Sequence, residues 1–205
     1  HAIPDNPRPI CVVHMGSVYD GALTPLLRAL SDLQADGHDL SGLSLQFTGY
    51  MSPATQAEVV GSSIGSLCTI QTERVSHAKA LEMMRSAHLL LIALRSDQTQ
   101  LVPGKTYEYM AIKRPVLALV PAAAREVIAA TGIGCGLDPS DQPAIRSALR
   151  QILVDYARFV REHFQPDSEA INGFSRVALA GKLATILDGI VQGAAPHVSS
   201  TQGSA

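Results

Sequence analysis

The chain has 205 residues, of which 46% are hydrophobic and 17% are charged. This composition excludes a disordered chain, and the length is sufficient to bury a substantial core. The net charge of −2 argues against general affinity for nucleic acid, because duplex-binding domains carry a clear excess of Lys and Arg. Apolar runs stay shorter than the roughly twenty residues that span a bilayer, so the sequence predicts no transmembrane segment.

The opening of the chain is polar and contains Pro4, Pro7 and Pro9. Such composition is typical of an interdomain linker, and we therefore expect residues 1–9 to follow a missing N-terminal domain of a larger protein. The segment 193–205 is rich in Ala, Ser and Gly, which predicts a disordered tail. The folded domain is expected to span residues 10–192.

Strand-like apolar runs alternate with helical patterns along most of the chain. The predicted strands are 10–14, 43–48, 67–70, 89–94, 116–120 and 134–137. The predicted helices are 22–35, 52–60, 76–87, 104–113, 123–131, 144–160 and 174–191. This alternation favours an α/β fold with a doubly wound, parallel, Rossmann-like sheet flanked by helices, followed by C-terminal helices.

Three cysteines, Cys11, Cys68 and Cys135, lie far apart and in or beside these apolar runs. Their spacing indicates neither a zinc site nor a redox pair, so we expect small buried hydrophobic side chains in strands. A reducing, cytoplasmic location fits this cysteine usage best. His14, His77 and His88 are not spaced as a metal-ligand set, although His14 ends a strand and could reach a ligand cleft.

The loop before the predicted helix 104–113 carries the strongest functional signal. In doubly wound sheets ligands bind outside the carboxyl ends of the strands, which is where this loop lies. Pro103 and Gly104 stand where the helix should begin, and Glu108 follows one turn later. Free N–H groups and the positive end of a helix dipole attract phosphate, and a carboxylate can accept hydrogen bonds from ribose. The pattern predicts a nucleotide site.

The motifs at the strand ends, taken in order, resemble the C-terminal half of retaining glycosyltransferases with two Rossmann-like domains (the GT-B architecture, glycosyl transferases group 1). The resemblance covers about residues 10–190. The motifs that carry it are Val13-His14-Met15-Gly16-Ser17, Leu45-Gln46-Phe47-Thr48-Gly49, Val75-Ser76, Ala87-His88-Leu89-Leu90-Leu91, Pro103-Gly104-Lys105-Thr106-Tyr107-Glu108-Tyr109-Met110-Ala111 and Arg114-Pro115-Val116-Leu117-Ala118.

The resemblance implies a domain that holds a nucleoside-diphosphate sugar, linked through UDP or GDP, with no metal required. Glu108 would accept hydrogen bonds from the ribose, and the loop near Arg74 and Val75 would frame the base. The final helix resembles the one that crosses back to the N-terminal acceptor domain. The residues implied to lie against the diphosphate are Gly16, Ser17, Gly104, Lys105 and Thr106.

Two departures from the family pattern affect this site. Many relatives carry two glutamates separated by seven residues, and Gln100 stands where the first would be, so an amide replaces a charge. Whether it takes over that role stays open. Relatives also place Arg and Lys after the first strand, where this chain offers Ser17, Tyr19 and Asp20; Lys105 is the candidate substitute.

The resulting hypothesis is a glycosyltransferase donor domain that contains no catalytic residue of its own and binds donor without appreciable turnover. Its partners would be the nucleotide sugar and the missing acceptor domain, with peripheral membrane contact by the full protein left open. The alternatives are half of a nucleotide-sugar epimerase and a non-catalytic protein-interaction module. Tyr107 and Tyr109 are interpreted as packing residues. The sequence leaves the base, sugar, acceptor, pathway and oligomeric state open.

Overall fold

The computed structural model of the chain describes residues 3–193. These residues fall into two compact units, one ending at Asp167 and the other beginning at Ser168. The first unit contains the sheet and seven α-helices, and the second contains two α-helices. The predicted tail lies outside the described residues, apart from its first residue.

The first unit is built on a six-stranded sheet in the order β3-β2-β1-β4-β5-β6, in which all paired strands are parallel. The strands are β1 (Ile10–Met15), β2 (Leu43–Thr48), β3 (Cys68–Gln71), β4 (Leu89–Ala93), β5 (Val116–Leu119) and β6 (Gly134–Leu137). The sequence prediction of a doubly wound α/β fold is confirmed. Every residue of β4 is buried, as expected for a central strand covered on both faces.

Two of the helices begin at serines whose side chains cap them. In the first unit the helices are α1 (Thr24–Ala35), α2 (Pro53–Gly61), α3 (His77–Ser86), α4 (Gly104–Ile112), α5 (Ala122–Thr131), α6 (Gln142–Val154) and α7 (Tyr156–His163). The second unit contains α8 (Ser168–Asn172) and α9 (Arg176–Gly193). At the start of α2 the hydroxyl of Ser52 accepts from the N–H of Thr55 at 3.1 Å, and at the start of α3 that of Ser76 accepts from Lys79 at 3.2 Å.

The prediction of one helix over 144–160 is wrong, because the chain forms α6 and α7 with a break at Asp155. The carboxylate of Asp155 accepts from the N–H of Arg158 at 2.9 Å and so caps a new helix. The apolar spacing continues across the break because both helices bury the same side of the chain, which hides the interruption from the sequence pattern. The predicted helices also do not include the short helix α8.

The three cysteines lie in β1, β3 and β6, as expected, and all are free thiols. Cys135 is buried, whereas Cys11 and Cys68 are half-buried. Burial raises the pKa of Cys68 and of Cys135 to about 11, so both thiols stay protonated at neutral pH. No helix between residues 3 and 193 combines the length and apolar character needed to cross a bilayer.

The sheet reverses its winding between β1 and β4. The chain leaves β1 toward β2 on one side and leaves β4 toward β5 on the other, so right-handed crossovers place α1 and α4 on opposite faces. The β1–β4 pairing stops at Val13 and Leu90, whereas β1 stays paired with β2 as far as Met15. Doubly wound folds bind ligands in the crevice outside the carboxyl ends of the strands at such a reversal, which here lies at β1 and β4.

Candidate functional site

Helix α4 presents its N-terminus at this crevice. Pro103 occupies the N-cap position, Gly104 is exposed and Lys105 is half-buried. The N–H of Thr106 donates to O of Pro103 at 2.9 Å, and this residue is buried. Among residues 3–193, the N–H groups of Gly104 and Lys105 have no acceptor. These two amides, and not that of Thr106, are therefore open to an anion.

The side chain of Lys105 crosses the crevice toward the loop after β1. Its Nζ lies 2.8 Å from Nε2 of His14 and 3.4 Å from O of Ser17. A Cβ added to Gly16 would lie 3.6 Å from the same Nζ. The structure thus brings Gly16, Ser17 and Lys105 together, and it adds His14 to them.

Burial changes the protonation of both partners in this contact. The pKa of His14 falls to about 3, first because the ring is buried and second because of the Lys105 charge. The pKa of Lys105 falls to about 8 because of burial, although the nearby Glu108 carboxylate opposes that change. At neutral pH the site therefore contains a neutral imidazole and a largely protonated ammonium.

Glu108 lies one helical turn after Gly104, so both residues share a face of α4. Its carboxylate is exposed to solvent. The carboxylate partly opposes the burial that lowers the pKa of Lys105, and it adds to the burial that raises the pKa of Tyr109, so its charge acts on both residues. An exposed acid one turn from two unpaired amides can accept hydrogen bonds from hydroxyl groups of a bound molecule.

Two glycines let the loops after β1 and β2 approach each other closely. Gly49 has φ of +131°, and a Cβ there would lie 2.6 Å from O of Gly16. The N–H of Gly16 donates to O of Thr48 at 2.7 Å. Any larger residue at position 49 would collide with the backbone of Gly16 and separate the two loops.

Tyr109 joins α4 to both strands at the crevice. Its hydroxyl accepts from the N–H of Met15 at 3.0 Å and donates to O of Leu91 at 3.4 Å. It thereby bridges β1 and β4 beyond their last paired residues, where the backbone groups no longer reach each other. The interpretation of Tyr109 as a packing residue is correct for its buried ring, whereas no local pattern around Tyr109 predicts the bridge.

Asp20, the acidic residue of the loop after β1, is held at the start of α2. Its Oδ1 accepts from the hydroxyl of Ser52 and from that of Thr55 at 2.7 Å. These hydrogen bonds, that of Ser52 first, lower the pKa of Asp20. A cavity of about 350 Å³ adjoins this loop at the strand ends. Its lining residues include Asp20, Gly21, Leu94, Arg95, Asp97 and Pro139.

The remaining predicted site residues also lie in loops that follow the carboxyl ends of strands. Arg74 is exposed and Val75 half-buried in the loop after β3, an edge strand two places from β1. Gln100 is exposed in the loop between β4 and α4. No hydrogen bond or ion pair within the described residues joins these three side chains to Lys105 or Glu108. In the same part of the chain, no group of three or more His, Cys, Asp or Glu could hold a metal ion.

No protein-family model matches the chain, and no curated protein sequence matches it. Solved structures do match its fold. The trehalose-6-phosphate synthase of Burkholderia multivorans aligns over 91% of this chain and 44% of its own, with a TM-score of 0.68 and 13% identity. Alr3699/HepE of Anabaena, in complex with UDP-glucose, aligns over 88% and 49%, with a TM-score of 0.64 and 14% identity.

The UDP-GlcNAc 2-epimerase of Neisseria meningitidis, bound to UDP-GlcNAc, aligns over 88% of this chain and 44% of its own, with a TM-score of 0.56 and 14% identity. The chain thus spans about half the length of these solved structures. It has the Rossmann-like fold found in GT-B glycosyltransferases such as the first two.

Proposed function

We propose that this chain is the donor-binding domain of a glycosyltransferase and holds a nucleoside-diphosphate sugar at the carboxyl ends of β1 and β4. One observation carries the proposal. The free amides of Gly104 and Lys105, the Lys105 ammonium and the Glu108 carboxylate converge on the point where the sheet reverses its winding.

The electrostatics of this crevice suit a diphosphate. A helix N-terminus carries roughly half a positive charge, and the ammonium adds a full one. The Asp20 carboxylate, which would repel phosphate, is held by Ser52 and Thr55 at the start of α2. Charge compensation can therefore come from α4 itself, so the proposed site requires no metal ion.

With the diphosphate at the N-terminus of α4, the ribose, sugar and base of the donor would contact other residues. The ribose hydroxyls would donate to Glu108, and Gln100 would contact the sugar through its amide. Arg74 and Val75 would frame the base, either uracil or guanine. Arg74, Val75 and Gln100 enter the proposal from the sequence resemblance. Their structural relation to Lys105 and Glu108 is only that they lie in loops that follow the carboxyl ends of β3 and β4.

The full enzyme would transfer the sugar in a cleft between this domain and an N-terminal acceptor domain. Stabilising the departing diphosphate would be the contribution of this chain, because its described residues offer no nucleophile with an activating base. Helix α9 supports a missing partner domain, since several of its apolar side chains are exposed. They are Val177, Leu179, Leu183, Ile186, Leu187, Ile190 and Val191.

Titration calorimetry of the 205-residue chain with UDP and GDP tests the proposal. We expect saturable binding of one diphosphate, weaker binding of the matching monophosphate and no appreciable transfer or hydrolysis of the UDP- or GDP-sugar. Heat at buffer level for both diphosphates would contradict the proposed function. Adenosine serves as the control for non-specific stacking, because it lacks phosphate.

An epimerase half-domain is the second candidate, favoured by the structural likeness to the UDP-GlcNAc 2-epimerase. It ranks lower because an epimerase needs acid and base groups that exchange protons with the sugar, and His14 is buried and neutral. Proton NMR of UDP-GlcNAc incubated with the chain separates the two. Inversion at C2 would favour the epimerase, whereas unchanged sugar favours a donor domain.

A non-catalytic protein-interaction module is the remaining alternative. It assigns no role to Glu108, whereas the donor-domain proposal places this carboxylate on the ribose. Replacing Glu108 with Ala should therefore weaken UDP or GDP binding only under our proposal, by about 1–3 kcal/mol for a lost charged hydrogen-bond partner.

A further inference from the structure

His14 has a buried ring that the proposed donor contacts do not use. Its Nδ1 lies 3.1 Å from O of Leu91. Nε2 lies 3.4 Å from O of Ser17 but closer to Nζ of Lys105. A carbonyl only accepts and an ammonium only donates, so the shorter contact on each nitrogen places the ring proton on Nδ1 and leaves a lone pair on Nε2. Nζ of Lys105, 2.8 Å from Nε2, therefore donates to the ring. The hydrogen bonds run in one direction, from Lys105 to His14 and from His14 to Leu91.

The ammonium of Lys105 is held at two points and retains a free donor. Its second contact is with O of Ser17 at 3.4 Å, beside Gly16. An ammonium has three N–H groups, and within residues 3–193 the third has no acceptor. That donor is available to a molecule in the crevice.

The surroundings of Lys105 indicate a ligand rather than a structural ion pair. No carboxylate within the described residues lies within ion-pair distance of its Nζ. Glu108 from α4 itself is the ionisable group that acts on the pKa of Lys105, and Lys105 in turn acts on that of His14 from β1. A half-buried cation held by neutral acceptors, with no carboxylate at ion-pair distance, can gain a close counter-charge when an anion binds.

We propose that His14 is a positioning residue for the donor diphosphate, an inference that rests on the proposed function: its neutral Nε2 fixes the Lys105 ammonium beside Gly16. A free lysine side chain populates many rotamers, and a ligand would have to immobilise it on binding. His14 does this in advance, which lowers the entropic cost of association. An Asp or Glu in its place would neutralise the cation that the phosphate needs.

A double-mutant cycle tests this coupling by UDP titration at pH 7. His14→Phe removes the acceptor and keeps an aromatic ring, while Lys105→Met removes the ammonium and keeps the apolar stem. We expect His14→Phe to weaken UDP binding roughly tenfold when Lys105 is present and less than about twofold in the Lys105→Met background. Equal losses in both backgrounds would show that His14 acts only through the fold, and would overturn the inference.

His14→Gln provides the conservative control, because its side-chain oxygen can still accept from the ammonium. It should lose clearly less affinity than His14→Phe at equal thermal stability. Losses of the same size in both variants would count against a role as acceptor.

A measurement without nucleotide keeps the inference testable if His14→Phe does not fold or if UDP does not bind. Nitrogen-15 NMR of the wild-type chain should show His14 with its proton on Nδ1, and Lys105→Met should shift the Nε2 resonance. A proton on Nε2 would refute the proposed contact. Absence of UDP binding with the expected tautomer would instead refute the donor-domain proposal.

Discussion

The hydroxyl of Tyr109 lies between the N–H of Met15 and the carbonyl of Leu91 and bonds to both. Because the backbones of β1 and β4 no longer pair at this point, side chains connect the two strands: Tyr109 from α4 and, through its contact with O of Leu91, His14 from β1. The helix that would carry the diphosphate is thereby fixed to the strands that form the crevice. The same buried residue therefore serves both fold and site.

Tyr109→Phe should lower stability, because it leaves the partly buried N–H of Met15 without its partner. We expect the free energy of unfolding to fall by about 1–3 kcal/mol. Urea denaturation followed by circular dichroism measures the change. Tyr50→Phe, at an exposed tyrosine, is the matched control and should change stability by less than about 0.5 kcal/mol. Equal effects of the two substitutions would argue against the bridge.

Glu108→Gln should weaken UDP binding while leaving stability unchanged. The amide keeps the shape of the side chain but loses the charge that strengthens hydrogen bonds from ribose, so we expect a loss of about 1–2 kcal/mol. Calorimetry with UDP and with inorganic pyrophosphate separates the ribose contribution from the diphosphate contribution. Pyrophosphate has no ribose, so it should bind the wild-type and Glu108→Gln proteins alike. Glu126→Gln, at an exposed position of α5, is the control. A Glu108→Gln protein that binds UDP as tightly as wild type would exclude the ribose contact.

UDP affinity should fall as the pH rises through about 8, the pKa of Lys105 in the free protein. Below this pH the Lys105 ammonium is charged and attracts the diphosphate. Above it the free protein has lost that proton, and the complex must take the proton up again, which weakens binding. About a tenfold loss per pH unit is the limit for one proton, so we expect several-fold weaker binding at pH 9 than at pH 7. Lys105→Met should show a flat profile. The same slope in that variant would assign the titration to another group.

His14 should reduce stability in acid. Its pKa in the fold, about 3, is below the ordinary 6.5, so between these values the unfolded chain binds the proton that the folded chain excludes. The free energy of unfolding therefore falls as pH drops below about 6.5, with a limiting slope of about 1.4 kcal/mol per pH unit from this group. Chemical denaturation at pH 7, 6 and 5 measures the slope. In His14→Gln it should be smaller, and an unchanged slope would mean that His14 is protonated in the fold.

Gly49→Ala should destabilise the chain and distort the crevice. Its Cβ would lie 2.6 Å from O of Gly16, and φ of +131° disfavours any side chain. We expect a loss of about 1–3 kcal/mol in stability together with weaker UDP binding. Gly61→Ala is the control, because nothing lies within 4 Å of an added Cβ there. A stable Gly49→Ala protein with normal affinity would show that the two loops separate at little cost.

Local patterns were enough to predict most secondary structure. The apolar runs of β2 and β6 have the predicted limits, and the hydroxyls of Ser52 and Ser76 cap the predicted helices. These features depend on neighbours within a few residues, which the sequence displays directly. The error over 144–160 has a local cause as well, since the cap at Asp155 competes with a continuous helix.

The sequence by itself determined the alternation of strands and helices, the start of α4 at Gly104 and the place of Glu108 one turn later, because short-range periodicity and capping fix them. Tertiary structure alone decided that Lys105 meets His14, 91 residues earlier, and that Tyr109 reaches Met15, 94 residues earlier. Such contacts depend on strand order, register and the divergence of β1 from β4. No local pattern in the chain encodes those three properties.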